Sequence, residues 1–388
     1  MTPFTARPPE VTSRIRLTVP SLDEADFAAV RSVLETGFLV QGSHVADFES
    51  RVAEATGSRH AVAVTNCTAA LQMALMAVGV RPGDLVVTTA YSWPSTANVI
   101  ELCGAQPVFI DIDPDTFNMS PNALDAALDR LMAVSGTARR VRAVLPVHTF
   151  GGMADMGRIN ESAARYGLPV IEDAACALGA SRDGMRAGSA AALGCFSFHP
   201  RKAVTTGEGG VITTDDEAYA DYLRALRNHG QHRDGDGPTR FVLPGFNNRM
   251  TEFQGALGGT QMTKLDRIVE ARRSGAARYD ALLADTSVQA PSVPGGSRHV
   301  YQSYVVRLPE RLDRQPVLDA LHAADIEATV GTYHMPLIDY FKATYGFQKG
   351  DFPIADSVAK RTVTMPLHEG LTLEEQERVV ETLLEASR

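Results

Sequence analysis

Gly194-Cys195-Phe196-Ser197-Phe198-His199-Pro200-Arg201-Lys202-Ala203-Val204-Thr205-Thr206-Gly207-Glu208-Gly209-Gly210 is the stretch on which the reading of the chain turns. Phe196 and Phe198 alternate with small or polar residues, as in a half-buried strand. Pro200 ends that run, because it has no N–H for a sheet ladder. Lys202 follows, then a glycine cluster, then Val211-Ile212-Thr213-Thr214, a second strand-like run. The lysine therefore falls in a connection between two strands, beside glycines that let other groups come close. Burial would lower its pKa and make it a nucleophile able to form a Schiff base. An exposed loop lysine is the alternative, and this stretch alone does not choose between them.

Outward from it the chain alternates. Residues 61–64, 85–87, 107–110, 143–147 and 169–171 are short, apolar and rich in branched side chains, and helical patterns fill 69–78, 95–102, 122–132 and 154–166 between them. That rhythm predicts βαβ crossovers and an α/β fold with a mostly parallel central sheet flanked by helices, completed by the strands of Phe198 and Ile212. Residues 1–20 carry four prolines and read as an irregular N-terminal arm. Ser21-Leu22-Asp23-Glu24 reads as a capping box opening a helix that buries Phe27, Val30 and Leu34. A second amphipathic helix carries Val45, Phe48, Val52 and Ala55. Residues 217–228 look helical, 231–239 read as a polar, mobile loop, and 250–283 can hold two helices. A domain boundary in that last stretch divides a large α/β domain, 21–258, from a small C-terminal α+β domain, 259–388, with a strand at 300–306 and helices at 316–323 and 371–386.

A chain of 388 residues is long for one core, which supports two domains. Its net charge of −9 argues against nucleic acid or an anionic membrane as partner, while leaving room for a local phosphate pocket. The four cysteines, Cys67, Cys103, Cys176 and Cys195, form no C-x-x-C pair and read as free thiols of a reducing compartment. With no signal-like run and no stretch near the roughly 20 apolar residues of a membrane helix, the expected location is the cytoplasm. The glycines at 207, 209 and 210 match neither a phosphate loop nor a dinucleotide fingerprint. His229 and His232 are the closest histidines, without carboxylates at metal-ligand spacing, so no metal is expected. No G-x-S-x-G elbow is present.

In open parallel sheets ligands bind at the carboxyl ends of the strands. After 61–64, Thr65-Asn66-Cys67-Thr68 opens a helix whose first N–H groups suit a phosphate, or are simply capped by Thr65 or Asn66. After 169–171 comes Glu172-Asp173. An acid leaving a buried strand needs a cation, such as a positive ring nitrogen, or serves as a structural carboxylate. After 86–87 comes Trp93, the only tryptophan, which either lies on a planar ligand or belongs to the core. A ligand that is anionic at one end, flat in the middle, basic at a ring nitrogen and reactive with a lysine is pyridoxal 5'-phosphate.

With those residues assembled, the chain resembles, over nearly its whole length, the sugar aminotransferases of the DegT/DnrJ/StrS group, within the fold-type-I pyridoxal phosphate enzymes. Phe196-Ser197-Phe198-His199-Pro200-Arg201-Lys202, running on into Thr205-Thr206-Gly207-Glu208-Gly209-Gly210, is similar to that family's lysine motif. Val170-Ile171-Glu172-Asp173-Ala174-Ala175 is similar to its pyridine-partner motif, and Gly245-Phe246-Asn247-Asn248-Arg249-Met250-Thr251-Glu252 to the segment that reaches a neighbouring subunit. The resemblance implies that Lys202 holds the cofactor and moves the substrate proton, that Asp173 keeps the pyridine nitrogen protonated, and that Trp93 stacks on the ring. It implies that Ser197 and the Cys67-Thr68 turn hold the phosphate, and that Asn247 reaches it from the partner, giving a homodimer with shared active sites. Cys176 stands where relatives commonly place a His or Gln against the ring oxygen, and Asn248 where an aromatic is common. His229, Gln302 and His334 are the candidate substrate contacts. The implied reaction moves an amino group from an amino acid, L-glutamate, to a nucleotide-linked keto-deoxyhexose. A cyclitol ketone is the alternative acceptor. A pyridoxal-dependent dehydratase, where histidine typically replaces the lysine, and a cofactor-binding regulator are further alternatives; Lys202 argues against the first, and Lys202 with Asp173 against the second.

Overall fold

The structure is a computed structural model that describes residues 14–233, 235 and 237–388. Residues 1–13 of the expected arm, and Asp234 and Asp236 of the expected loop, lie outside the described residues.

Seven strands form the centre: β1 (His60–Val64), β2 (Leu85–Thr89), β3 (Gln106–Ile110), β4 (Val141–Leu145), β5 (Ile171–Asp173), β6 (Leu193–Ser197) and β7 (Gly210–Thr214). β7 pairs antiparallel with β1 and with β6, β6 pairs parallel with β5, and β2 pairs parallel with β3 and β4. Parallel bridges Val144–Val170 and Val147–Asp173 join β4 to the β5 segment. The spatial order is thus β1-β7-β6-β5-β4-β2-β3, with β7 alone running against the rest.

Besides a single turn at Ser135–Ala138, the helices described in this part are α1 (Glu24–Thr36), α2 (Ser43–Thr56), α3 (Cys67–Ala77), α4 (Ser95–Leu102), α5 (Pro121–Met132), α6 (Met156–Ala164), α7 (Glu217–Leu226), α8 (Glu252–Met262) and α9 (Leu265–Leu283). They cover both faces, as near-continuous apolar strands require. Because side chains alternate along a strand, Phe196 and Val211 enter one core with Val45 and Phe48 of α2, while Cys195 and Ile212 enter the other with Leu71 and Leu75 of α3.

A further core gathers around a three-stranded antiparallel sheet of β8 (Tyr304–Arg307), β9 (Thr329–Val330) and β10 (Thr362–Met365), packed by helices α10 (Arg314–Ala323) and α11 (Leu373–Ala386). Helix α9 spans the two regions. Leu265, Ile268 and Val269 pack into the large core, and Ala276, Tyr279 and Leu283 into this one. Ile15 is buried in the same C-terminal core and bridges Ile326, so the end of the expected arm is tied down.

The start of α1 differs from expectation. Its N-cap is Asp23, which accepts from the Ala25 N–H, and Asp26 closes the capping box; Ser21 instead donates to Glu369. Its face also differs. Val33 and Asp26 are buried, but Phe27 and Leu34 are 51% and 54% exposed. The reason is polar. Asp26 faces α8 and the turn after it, where Lys264 Nζ lies at 2.6 Å and Thr260 Oγ1 at 2.7 Å, so the apolar stripe is turned outward. Among the described residues no helix is long and apolar enough to cross a membrane.

Candidate active site

The register of the sheet brings the expected residues to one edge. Val64, Gly210 and Ser197 are abreast on β1, β7 and β6, and Asp173 is abreast of Cys195 on β5 and β6. Residues from chain positions far apart therefore meet at the carboxyl ends of parallel strands.

Glu172 and Asp173 are adjacent in β5 and point to opposite faces. Glu172 is fully buried and accepts from His148 Nε2 at 2.7 Å and from the Gly188 and Ala190 N–H groups, each at 2.9 Å. His148 Nδ1 accepts from the Ala154 N–H at 3.2 Å, so Nε2 carries the proton and donates to Glu172. This carboxylate is structural. Asp173 is 4% exposed, and its Oδ2 accepts from Thr96 Oγ1 at 2.8 Å while Oδ1 accepts from the Ala175 N–H at 3.2 Å. Burial pushes its pKa up, against the pull of Thr96, Ala175 and the Lys202 charge.

Lys202 sits in the turn after β6, its N–H bonded to the His199 carbonyl, and its Nζ donates to Cys176 Sγ at 3.2 Å. A lowered pKa is expected for a buried lysine. Burial does pull it down here, but Cys176, by its contact with Nζ, and the Asp173 carboxylate more than reverse that pull, so the pKa is raised above its ordinary value. Cys67 itself is pushed well up by burial, so it is a neutral thiol that offers its backbone rather than a charge.

The helix start at residue 67 is capped by Asn66, whose Oδ1 accepts from the Ala69 N–H at 2.9 Å, and the Asn66 carbonyl takes the Ala70 N–H. The Cys67 and Thr68 N–H groups are the next orphan donors of that positive end. Gly210 makes the crossing possible, since a Cβ there would lie 2.4 Å from the Asn66 carbonyl carbon. Ser197 is half-buried, with its hydroxyl 3.5 Å from the His199 N–H.

Trp93 is not core. It is 61% exposed, and its ring meets the Tyr333 ring edge-on, centroids 5.5 Å apart. Tyr333–His334 pairs with Tyr91–Ser92, which places the C-terminal region directly beside the indole. Asn247 is exposed, in a segment that runs along the outer edge of β1 through the Val64–Arg249 bridge and the Thr65 N–H to Asn248 carbonyl bond. Asn248 turns towards α3, with its Nδ2 3.7 Å from Met73 Sδ.

The three candidate substrate contacts have different surroundings. His229 is exposed, with a φ of +57° and its N–H on the Phe246 carbonyl. Gln302 donates its side chain to the Arg201 carbonyl, next to Lys202, and so braces the lysine turn. His334 faces away from the Tyr333 side, 3.5 Å from Asp356 and edge-on to Phe352, and burial lowers its pKa. Sequence reasoning missed Thr96 and Tyr333. Thr96 carries no signal beyond following a strand end, and Tyr333 is distant in the chain.

These residues fit pyridoxal phosphate. There is a buried acid with lone pairs to spare, an uncovered indole, a helix N-terminus and a lysine held only by a thiol. Residues 20–384 match the family described as the DegT/DnrJ/EryC1/StrS aminotransferase family. The chain belongs to that family. It is 36% identical over 375 residues to the GDP-perosamine synthase of Caulobacter vibrioides, covering 95% of this chain and 97% of that one. It is 33% identical over 342 residues to the UDP-2-acetamido-2-deoxy-3-oxo-D-glucuronate aminotransferase of Pseudomonas aeruginosa, covering 88% and 90%. Its fold superposes on a putative sugar aminotransferase of Streptococcus pneumoniae in its PMP-form with a TM-score of 0.89, at 26% identity, covering 96% and 99%. The protein is a pyridoxal-phosphate-dependent aminotransferase of fold type I.

Proposed function

We propose that this aminotransferase takes the amino group of an amino acid, L-glutamate, and delivers it to the ketone of a nucleotide-linked keto-deoxyhexose. The observation that supports the reaction is the Lys202 charge acting on the buried Asp173, whose carboxylate is held by Thr96 from the turn that also carries exposed Trp93. The acceptor class rests on the two relatives whose names carry a GDP- or UDP-linked sugar.

Bound pyridoxal phosphate supplies an electron sink and a carrier for the amino group. Lys202 Nζ would hold it and take or return the proton at the substrate carbon. Asp173 would keep a charged partner on the ring nitrogen, and Trp93 would cover one ring face. Ser197 and the N–H groups of Cys67 and Thr68 would hold the phosphate, with Cys176 beside the lysine. Asn247, exposed on its own chain, would reach the phosphate of a partner subunit. The uncovered stripe of Phe27 and Leu34, followed in the chain by exposed Phe38, Leu39 and Val40, supports the same homodimer, since such surface is normally buried by association. The proposed large domain is 21–258 and the proposed small one 259–388, with the 252–283 helices running between them, and the proposed location is the cytoplasm. The test is to mix protein, L-glutamate and a panel of keto-sugar nucleotides and cyclitol ketones, and weigh the products. An aminated sugar nucleotide is expected; amination of cyclitol ketones alone would overturn the acceptor.

A further inference from the structure

Among the described residues, the hydroxyl of Thr96 is the one side-chain donor to the Asp173 carboxylate. Thr96 lies in the first turn of α4 and is fully buried. Its single proton goes to Asp173 Oδ2, because an ionised carboxylate only accepts. On its other side Ser92 Oγ lies 3.0 Å away, also buried. With the Thr96 proton committed, Ser92 must donate. Two hydroxyls are thus aligned in series towards one carboxylate, an arrangement in which each bond strengthens the next. Oδ1 is held separately by the Ala175 N–H. Each oxygen of Asp173 therefore has one fixed donor and lone pairs left for another. Trp93 lies between Ser92 and Thr96 in the chain, and Tyr91–Ser92 is paired to Tyr333–His334.

We propose that Thr96, braced by Ser92, is the positioning residue that keeps Asp173 ionised and aimed at the cofactor's ring nitrogen, and that the 92–96 turn sets this acid and the stacking indole as one unit. This rests on the reading of Asp173 and Trp93 as cofactor contacts. Without the hydroxyl, burial acts on Asp173 with one opposing contact fewer, and the acid becomes neutral at a higher pH.

The test compares Thr96→Val, which keeps the shape and removes the hydroxyl, with Thr96→Ser, which keeps the hydroxyl. Asp173 is titrated by carboxyl-carbon NMR in the cofactor-free protein. Pyridoxal phosphate binding is read separately by quenching of Trp93, the sole fluorescent indole. In the valine variant the Asp173 titration moves up and cofactor affinity falls about ten- to a hundredfold, the range of one hydrogen bond to a charged group. The serine variant restores both. Equal titration and equal binding in parent and valine variant overturn the proposal, as do serine and valine variants that are equally impaired. If the valine variant does not fold, Ser92→Ala decides, with a smaller upward shift expected and an unmoved Asp173 contradicting the relay. A parent protein in which the cofactor leaves Trp93 unquenched would sink the contact reading, while the NMR titration still judges Thr96.

Discussion

Glu172 and Asp173 make a paired experiment, because Glu172→Gln and Asp173→Asn remove the same charge from adjacent buried positions. The structure predicts opposite outcomes. Every partner of Glu172 is a donor: His148 Nε2, the Gly188 N–H and the Ala190 N–H. His148 cannot turn acceptor at Nε2, because its Nδ1 already takes the Ala154 N–H. A glutamine amide would therefore set N–H against N–H and leave at least one buried donor orphaned. Such an orphan costs about 1–3 kcal/mol, and because His148 is neutral no unpaired charge adds to it. Asp173 differs, because its Thr96 partner is a hydroxyl. An asparagine can accept from the Ala175 N–H and donate to Thr96, which then donates to Ser92, so every group stays paired. Denaturant unfolding of the cofactor-free proteins should show Glu172→Gln less stable by about 1–3 kcal/mol and Asp173→Asn within about 1 kcal/mol of the parent. Turnover should fall about 10²–10³-fold in Asp173→Asn, the size of one lost preorganised electrostatic contact. Equal destabilisation of the two variants, or a stable Glu172→Gln, would refute this division of roles.

His299 is buried, accepts from the Tyr301 N–H, and is held down to about 3 from its ordinary 6.5 by burial and by Arg273. A base whose folded pKa is depressed stabilises fully above its unfolded value, so stability should fall as pH drops from 6.5 towards 3, by at most about 1.4 kcal/mol per pH unit. The His299→Asn variant should show a flatter unfolding profile over that window; an identical slope would contradict the assignment. Charging the exposed stripe with Phe27→Glu and Leu34→Glu should shift the protein to monomers in sedimentation, and an unchanged assembly would place the interface elsewhere. Cys176→Ser should preserve cofactor loading, because a hydroxyl can also face Lys202 Nζ; loss of loading would give the thiol a larger part than bracing the lysine.

What the sequence made legible follows local pattern. The short apolar strands and the intervening helices lie where the periodicity predicted, and Lys202, Asp173, Trp93 and the helix start at residue 67 all reach the same sheet edge. The direction of β7 was not legible, because residues 210–214 alternate in the same way whichever way the strand runs. The face of α1 was misread for a related reason. Phe27 and Leu34 form a good apolar stripe, and nothing local announces that Lys264, 238 positions on, draws the Asp26 side inward. Thr96 stayed hidden because its partner lies 77 positions away, and Gln302 because its bond to Arg201 crosses 101. The lysine's raised pKa could not come from its own stretch either, since Asp173 and Cys176 arrive from β5 and the loop after it.

The central claim is that Lys202 works in a transaminase. Protein loaded with pyridoxal phosphate should be yellow, and L-glutamate alone should bleach it while releasing one 2-oxoglutarate per site; Lys202→Ala should give neither change. A yellow parent protein indifferent to L-glutamate and to every other amino donor, or a Lys202→Ala variant that turns over like the parent, would contradict the account.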